Sequence, residues 1–467
     1  MEIKVVENTK EIQCDVLIVN KFVDELTSNP LINKFAPDTF KGKAGETFLI
    51  HTHGEAPSNY VLAVGFGEEQ SVDDNIIREG IAKAVKKCAE LKAKTIAFDI
   101  SSNLDFDIPV ILGAEIANYH FDKYKTKKEH KISELYISNV TDKVYKAATI
   151  AQGLEFARNL ANEPASFANP AKLAELACSF EGVEATVYDE AQIREMGMGA
   201  YLAVAQGSVN PPKFIHIKYI PEYARRKIAI VGKGLCFDSG GLDIKPAASM
   251  LNMKDDMSGA ACVLGIMSVI GKLKPHVEVH AIIAACENMP SGSAYKPGDI
   301  LTAKNGKTIE VDNTDAEGRL TLADALCYAC ELGVHEVIDI ATLTGACMVA
   351  LGSAASGIMG NNEEFIKDII KSGEYVGEKF WQLPMWQEYR DNMNSDVADM
   401  KNTGSRYGGA SAAGMFLKEF VTDDVRWVHL DVAGTAFLEK PQREFSKGAS
   451  GVGLRTILNY FLSYTLT

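Results

Sequence analysis

The chain has 467 residues, of which 48 are Lys or Arg and 62 are Asp or Glu, so its formal net charge is −14. That length is enough for two or three domains with large cores, and the acidic balance argues against nucleic acid as the main partner. Nine cysteines without a dense framework favour a reducing compartment, and the N-terminal residues lack the apolar core of a signal peptide, so we expect a soluble, cytoplasmic protein.

The first 140 residues alternate short apolar runs with longer amphipathic segments. The amphipathic segments predict helices over 73–91 and 109–119. The apolar runs predict strands over 16–20, 48–51, 60–64, 95–99 and 135–137. This alternation predicts an α/β domain with its own sheet. A basic run, KYKTKKEHK at 123–131, is better interpreted as a solvated turn than as a nucleic-acid contact.

A predicted helix links this domain to the rest of the chain. Residues 144–160 are amphipathic, and turns around Pro164 and Pro170 end the pattern. We therefore assign residues 1–142 to an N-terminal α/β domain. Residues 143–164 form the linking helix, and 165–467 form a second domain that carries the chemistry.

The next informative segment places charged side chains among glycines. Residues 229–231 are the apolar end of a predicted strand, and the sequence continues to residue 246 as a glycine-rich connection that carries Lys233, Asp238 and Lys245. Asp256 follows, just before a predicted helix over 258–273. Loops at the carboxyl ends of strands bind the ligands of open α/β sheets. We therefore expect these side chains to face a ligand.

The sequence NTDAEGRL, residues 313–320, is the most informative stretch of the chain. In an extended segment, Asp315, Glu317 and Arg319 would share one face because residues two apart point the same way. Adjacent carboxylates repel each other, and burial raises their pKa values, unless a cation lies between them. We therefore interpret the stretch as half of a metal site with an anion-binding arginine beside it.

Charge decides how many metal ions this acidic cluster would hold. The cluster comprises four carboxylates, Asp238, Asp256, Asp315 and Glu317. Two divalent ions neutralise four negative charges, whereas one ion leaves two of them uncompensated, partly offset by the lysines. We therefore favour two ions. Paired ions in proteins typically lie ~3.5–4 Å apart. Oxygen ligation suits Mg²⁺ or Mn²⁺, and Zn²⁺ stays an alternative.

The remaining elements continue the alternation of strands and helices. The predicted elements are a hairpin turning at Asn305-Gly306 between 300–303 and 308–311, strands over 336–340 and 426–431, and a closing helix over 452–464. The apolar stretch 337–360 contains Asp339 and several Gly and Thr, so it predicts sheet and loop rather than a membrane span. The chain is therefore predicted to be α/β, with two domains, each a mixed sheet flanked by helices, the C-terminal one catalytic.

These motifs resemble the leucyl aminopeptidase family, the cytosol aminopeptidases that include bacterial aminopeptidase A. The similarity runs from about residue 158 to the C-terminus. It is carried by RNLANEPASFANP, VGKGLCFDSGGLDIKP, MKDDMSGAA, NTDAEGRLTLADAL, ATLTGA and KGASGVGLRTI. Several long motifs in one order make coincidence improbable. The first ~145 residues carry no such motif, and their assignment depends on position.

The resemblance implies five ligands for two metal ions, Zn²⁺ or Mn²⁺. Lys233 and Asp256 would bind one ion and Asp315 the other. Asp238 and Glu317 would contact both. A lysine ligates only as a neutral amine, so the pKa of Lys233 must fall well below its reference value of about 10.4.

The resemblance also implies a mechanism. Lys245 would stay charged and polarise the scissile carbonyl, which a water bridging the two metals attacks. Arg319 cannot act as a base because a guanidinium does not deprotonate in proteins. In the family it holds a bicarbonate ion that shuttles the proton.

The implied substrates are peptides with a free N-terminus, because the neutral α-amine binds a metal and an internal peptide bond has none. Asn313 and the backbone of Leu343 and Gly345 would contact the substrate. The implied pocket for the first side chain is lined by Met253, Thr342, Gly345, Ala433 and Ala436. Ala436 replaces a bulkier residue of some relatives, so we expect a roomy pocket that takes Leu, Met and larger side chains. The family also implies a homohexamer.

Other functions fit part of the same pattern. A two-metal phosphoryl-transfer enzyme would also use clustered Asp with Lys and Arg, and a regulatory or DNA-binding role is known for some bacterial relatives. An inactive scaffold is disfavoured because every ligand position of the family is filled. Cys327 and Cys330 form a CxxC pair in a helix-like pattern without a second pair, so we interpret them as buried structural thiols.

Overall fold

The computed structural model describes residues 1–100, 106–138 and 140–464. The chain forms two compact units. The first comprises Met1–Gln152 with Glu439–Lys447, and the second comprises Gly153–Leu438 with Gly448–Thr467. The division falls inside the helix that we predicted as a link. The domain limits proposed from the sequence stay a prediction.

A six-stranded sheet with helices forms the first unit. Its strands are β1 Glu2–Val5, β2 Val16–Phe22, β3 Thr47–His51, β4 Tyr60–Gly67, β5 Thr95–Asp99 and β6 Glu134–Ile137. Its helices are α1 Pro30–Phe35, α2 Asp74–Glu90 and α3 Asp107–Asn118, and α4 Lys143–Asn162 leads out of the unit. The strand order is β1-β6-β5-β2-β4-β3, and β3 is antiparallel to β4 while the other pairs are parallel. The predicted α/β domain is confirmed.

A segment from the far end of the sequence completes the first unit. Arg78 of α2 donates to Glu444 over 2.9 Å, and both side chains are buried. The neighbouring Arg443 forms an ion pair with Glu79. Because breaking a buried pair leaves an uncompensated charge, which typically costs about 3–5 kcal/mol, this contact fixes the segment 439–447 in the unit.

The second unit has more elements. Its strands are β7 Glu184–Tyr188, β8 Lys213–Tyr219, β9 Arg226–Asp238, β10 Val277–Asn288, β11 Ile300–Thr302, β12 Thr308–Glu310, β13 Glu336–Ala341, β14 Ser356–Gly360, β15 Phe380–Gln382, β16 Met400–Lys401, β17 Arg426–Asp431, β18 Phe437–Leu438 and β19 Gly448–Ala449. Its helices are α5 Pro170–Cys178, α6 Glu190–Glu195, α7 Gly199–Ala205, α8 Ala247–Met250, α9 Ser258–Leu273, α10 Gly318–Glu331, α11 Gly345–Leu351, α12 Glu363–Val376, α13 Gln387–Asp391, α14 Gly409–Lys418 and α15 Leu454–Ser463.

The main sheet of this unit has eight strands in the order β15-β14-β17-β13-β9-β10-β8-β7. The central strands β17, β13, β9 and β10 are parallel, whereas β7, β8 and β14 form antiparallel pairs. The predicted mixed sheet is therefore confirmed. The carboxyl ends of the four parallel strands meet at one edge, which is where α/β sheets bind ligands.

Strand β9 is longer than the sequence predicts. We expected it to end near residue 231 and expected Lys233 and Asp238 in a loop, but β9 continues to Asp238. Gly232 allows this because a Cβ there would lie 2.7 Å from the carbonyl oxygen of Gly259 in α9. The absent side chain therefore brings strand and helix into close contact, and Lys233 is held on a buried strand.

The predicted hairpin at Asn305-Gly306 is present as β11 and β12, and β16 adds to β12 in parallel. This small sheet lies outside the main one and leads into the stretch that begins at Asn313.

The stretch Ala247–Leu273 is long and apolar enough to cross a membrane, but 78% of its most apolar window is buried inside the structure. Such burial is typical of a core helix.

Two buried histidines on adjacent strands form a chain of hydrogen bonds. Nε2 of His216 on β8 lies 2.9 Å from Nδ1 of His280 on β10, and His280 in turn contacts Glu278 at 2.8 Å. The other ring nitrogen of His216 lies 3.0 Å from the hydroxyl of Tyr328. Burial, and then the charge of His280, lowers the pKa of His216 to about 3.

We expect this histidine to make the protein acid-sensitive. In the unfolded chain its pKa is about 6.5, so the folded state disfavours the proton and stability is lost as the pH falls from 6.5 toward 3. At pH 5 the loss should be about 2 kcal/mol. The free energy of unfolding is measured with urea at pH 7 and pH 5 for wild type and His216→Phe. The fall in this free energy between pH 7 and pH 5 should be larger for wild type by about that amount. Equal pH dependence in the two proteins would contradict the assignment.

Candidate active site

The candidate site lies at the carboxyl edge of the parallel strands in the second unit. Three carboxylates meet there, one from the end of β9 and two from the loop before α10. One oxygen each from Asp238, Asp315 and Glu317 lies within 4.8 Å of the others. Burial raises the pKa of Asp315 and of Glu317, and the charge of Asp238 raises both further. Clustered carboxylates of this kind, two of them buried, favour a bound cation.

The path of the chain through this cluster differs from our expectation. We predicted an extended segment that puts Asp315, Glu317 and Arg319 on one face, and this is wrong. Residues 314–315 form a turn, Glu317 has helical backbone angles at the N-cap of α10, and Arg319 lies in the first turn of that helix. The carboxylates converge because the turn reverses the chain, not because alternate residues of a strand share a face.

Two lysines each connect a pair of carboxylates. Nζ of Lys233 lies 2.7 Å from Asp256 and 3.0 Å from Glu317. Nζ of Lys245 lies 2.8 Å from Asp238 and 2.5 Å from Asp315. Burial lowers the pKa of each lysine, but the surrounding carboxylates outweigh it and raise both pKa values.

The donor set fits divalent metal ions. Four carboxylates face two lysines, which leaves an excess of two negative charges in a largely buried site. Oδ2 of Asp256 is buried and has no hydrogen-bond partner among the residues that the structure describes. A bound cation would provide a partner for this unpaired oxygen and would balance the excess negative charge.

The end of β10 supplies a contact that the sequence did not reveal. Asn288 is fully buried, and its Nδ2 donates to Asp238 Oδ1 over 2.8 Å and to the carbonyl of Thr314 over 3.0 Å. It therefore connects the carboxylate of β9 to the loop before α10. A polar residue that ends a buried apolar strand was the available signal.

Arg319, in the first turn of α10, is buried. Nη1 donates to the main-chain carbonyl of Asn402 over 2.8 Å, and the guanidinium lies 5.9 Å from the ring centre of Phe416. Burial lowers its pKa to about 10, although the charges of Glu317 and Asp431 oppose that shift. In the described part of the chain its remaining guanidinium donors have no carboxylate partner, and they suit a small anion.

The loop after β13 carries three of the proposed substrate contacts. Oγ1 of Thr342 donates to Asp256 over 2.8 Å, and the carbonyl of Thr342 accepts from Lys233 over 3.0 Å. The N–H groups of Leu343 and Thr344 point to Asp431 Oδ1, at 3.3 and 3.4 Å. The sequence did not single out Asp431, which ends β17 and is buried.

Asp431 also reaches the segment that contains the other proposed contacts. Its Oδ1 accepts from the N–H of Ala433 over 3.2 Å. Ala433 is half-buried, whereas Ala436 is 2% exposed and lines a cavity of about 10 Å³. That volume is at the lower limit for one water molecule, so close packing fills the space around Ala436.

The remaining sequence-predicted residues have varied surroundings. Met253 begins a 3₁₀ turn and is half-buried. Gly345 is exposed at the start of α11, and nothing lies within 4 Å of a Cβ added there. Oδ1 of Asn313 accepts from the N–H of Asp315 over 2.7 Å, so this side chain shapes the ligand loop.

Comparison with known proteins gives a consistent family. The model for the catalytic domain of the cytosol aminopeptidase family matches residues 155–458, and the model for its N-terminal domain matches residues 3–128. A probable cytosol aminopeptidase of Sulfurihydrogenibium sp. is 47% identical over 91% of this chain and 88% of its own. The corresponding Aquifex aeolicus protein is also 47% identical, over 93% and 91%.

Solved structures agree with these sequence matches. A mutant tomato leucine aminopeptidase superimposes with a TM-score of 0.88 at 35% identity, covering 99% of this chain and 96% of that one. The bottromycin maturation enzyme BotP in complex with Mn gives a TM-score of 0.89 at 30% identity, covering 96% and 99%. Both likenesses extend over nearly the whole chain.

Proposed function

The chain belongs to the cytosol aminopeptidase family and is a metallo-aminopeptidase, and we propose that it releases Leu- and Met-like residues from the N-terminus of peptides with the help of two divalent ions. The observation that carries the proposal is the meeting of four carboxylates, three of them buried, and two lysines at one edge of the sheet.

Five residues would hold the ions, which we propose to be Zn²⁺ or Mn²⁺. They are Lys233, Asp238, Asp256, Asp315 and Glu317. When bound, the ions would acidify the attacking water and polarise the scissile carbonyl. Lys233 is fully buried, and burial alone lowers its pKa. With the carboxylate charge committed to cations, burial would dominate and leave the amine neutral, as a ligand requires.

Lys245 and Arg319 would act on the peptide and on the proton. Lys245 is partly exposed, and its ammonium would stabilise the oxyanion that forms at the scissile carbonyl. Arg319 would hold bicarbonate with the guanidinium donors that the carbonyl of Asn402 does not take. Bicarbonate bound there would carry the proton from the attacking water to the leaving amine, because Arg319 itself keeps its charge at neutral pH.

Substrate selection would depend on the free α-amine and on the first side chain. Asn313 and the backbone of Leu343 and Gly345 would orient the peptide. Met253, Thr342, Gly345, Ala433 and Ala436 would line the pocket. The motifs shared with the leucyl aminopeptidases support a preference for Leu and Met. A one-methylene difference changes binding by only about 1–3 kcal/mol, so selectivity should be broad.

We propose further that the protein is cytoplasmic and assembles as a homohexamer of 50.8 kDa chains. The names of its relatives support the location, and the motifs shared with the leucyl aminopeptidases support the assembly. Light scattering on the purified protein measures the mass, and a stable monomer would contradict the hexamer.

The function is tested with leucine p-nitroanilide and the same compound acetylated on its α-amine. The metal-loaded protein should release nitroaniline from the free amine and not from the acetylated form, because only the free amine can bind a metal. Chelation should abolish the activity, and Mn²⁺ or Zn²⁺ should restore it. Release of phosphate from p-nitrophenyl phosphate, with both anilides intact, would instead favour a phosphoryl-transfer enzyme.

A further inference from the structure

One buried side chain outside the proposed ligand set organises the loop that carries half of it. Asn402 follows β16 and has no exposed surface. Its Oδ1 accepts from the N–H of Asp312 over 2.7 Å and from that of Asn313 over 3.3 Å. Its Nδ2 donates to the carbonyl of Asn313 over 2.7 Å and to that of Ala316 over 3.4 Å.

These four bonds use the whole capacity of a primary amide, which has two donor hydrogens and two acceptor lone pairs. They reach the main chain on both sides of the turn that presents Asp315. A loop held at both ends has little freedom to shift the carboxylate between them. The same amide therefore sets the position of Asp315 and of Glu317, which follows Ala316 directly.

The main chain of Asn402 makes a separate contact with the site. Its carbonyl accepts the 2.8 Å hydrogen bond from Arg319. Its N–H donates to the carbonyl of Glu310 over 3.0 Å, which continues the pairing of β16 with β12. The strand pair thus fixes Asn402, its side chain fixes the ligand loop, and its carbonyl orients the guanidinium.

We infer that Asn402 is a positioning residue that sets the geometry of the metal-ligand loop and of Arg319 relative to each other. The inference rests on the proposed function, because it takes this loop to carry metal ligands. Outer contacts that orient metal ligands typically change metal affinity or activity by about 10–100-fold when removed. An amide that only stabilised the fold would leave both quantities unchanged in the folded protein.

Asn402→Ala in the full-length chain tests the inference against a matched control. Asn118 is also buried, and its side chain also bridges a main-chain carbonyl and N–H, those of Ile132, at 2.9 and 2.8 Å. It lies in the first unit. Asn118→Ala therefore removes a similar amide from a place where only stability depends on it.

Three quantities are measured for wild type and both variants: the melting temperature, Mn²⁺ affinity by titration calorimetry, and kcat and KM for leucine p-nitroanilide. For Asn402→Ala we expect Mn²⁺ affinity and kcat to fall by roughly 10–100-fold. KM should change less, because the loop from Thr342 to Gly345 has its own support in Asp431. Asn118→Ala should lower the melting temperature alone.

The inference would be overturned if Asn402→Ala kept the wild-type Mn²⁺ affinity and kcat. It would also be overturned if Asn118→Ala lost as much Mn²⁺ affinity and kcat as Asn402→Ala. If Asn402→Ala does not fold, Asn402→Asp keeps the size and the acceptor oxygen and loses the donated bonds. The same losses are expected of it, and unchanged Mn²⁺ affinity and kcat would overturn the inference. Wild-type protein that leaves the anilide intact would refute the proposed function, whereas weaker Mn²⁺ binding by Asn402→Ala would still support the positioning role.

Discussion

Asp315→Asn should abolish aminopeptidase activity and weaken metal binding. The substitution preserves shape but removes a negative charge from the trio whose oxygens lie within 4.8 Å of one another. Neutral amides bind divalent ions less strongly than carboxylates, and one of the two partners of the Lys245 ammonium would lose its charge. Because even outer-shell contacts change metal affinity about 10–100-fold, loss of a proposed direct ligand should have at least that effect.

The measurement is Mn²⁺ stoichiometry and affinity by calorimetry, together with the rate of anilide hydrolysis. Asp312→Asn is the control, because Asp312 lies in the same loop but is exposed and its carboxylate accepts from Thr403. That variant should keep both metal and activity. Full activity at normal metal stoichiometry in Asp315→Asn would remove Asp315 from the ligand set.

Lys245→Ala should lower kcat by about 10²–10³-fold, the range found when one oxyanion donor is removed. Its ammonium is held at the edge of the acidic cluster by Asp238 and Asp315, with 15% of the side chain exposed. It is therefore buried enough to act in a low dielectric and open enough to reach a carbonyl. Metal content should not change, because the proposed ligands are intact.

Lys304→Ala is the matched control for that experiment. Lys304 has a similar exposure of 13% and an ion pair with Glu331 at 3.0 Å, but it is not in the acidic cluster. Its kcat should equal that of wild type. Metal analysis separates two failures of the prediction: loss of metal in Lys245→Ala would make Lys245 a ligand, and an unchanged kcat would exclude it from the chemistry.

Local sequence patterns predicted most of the regular structure. The helix predicted over 258–273 is found as Ser258–Leu273, and the strand predicted over 95–99 is found as Thr95–Asp99. Both were predictable because the pattern of apolar residues in each segment differs from that in the flanking residues. The edge strand Glu2–Val5 was missed. Its residues are partly or fully exposed, so no apolar run marks it.

The sequence predicted which residues form the site, but it predicted their conformations less well. The carboxylates and lysines that meet there were all singled out from three motifs. Their conformations were not, because glycines normally suggest loops, whereas Gly232 lies within a buried strand packed against Gly259. The extended form of 313–319 was wrong for a related reason: alternation over a few residues does not distinguish a strand from a turn that leads into a helix.

The side chains that support the site, those of Asn402 and Asp431, could not be predicted from local sequence patterns. Asn402 bonds to residues 86 to 90 positions away, and Thr344 lies 87 positions from Asp431. Such pairs meet only once the parallel strands are in register. An isolated Asn or Asp near the end of a strand has no feature in its own neighbourhood that distinguishes it from a solvated turn residue.

The ion pair between Arg78 and Glu444 has a consequence for biosynthesis. Its partners are 366 positions apart, and a ribosome adding ~5–20 residues per second needs roughly 20–70 s to make the intervening chain. For most of that interval all six strands of the first unit's sheet have been made, while the segment that completes the unit does not yet exist. The nascent chain thus carries an unfinished domain until residues 439–447 have been made, and synthesis of that segment sets how long chaperones would be needed.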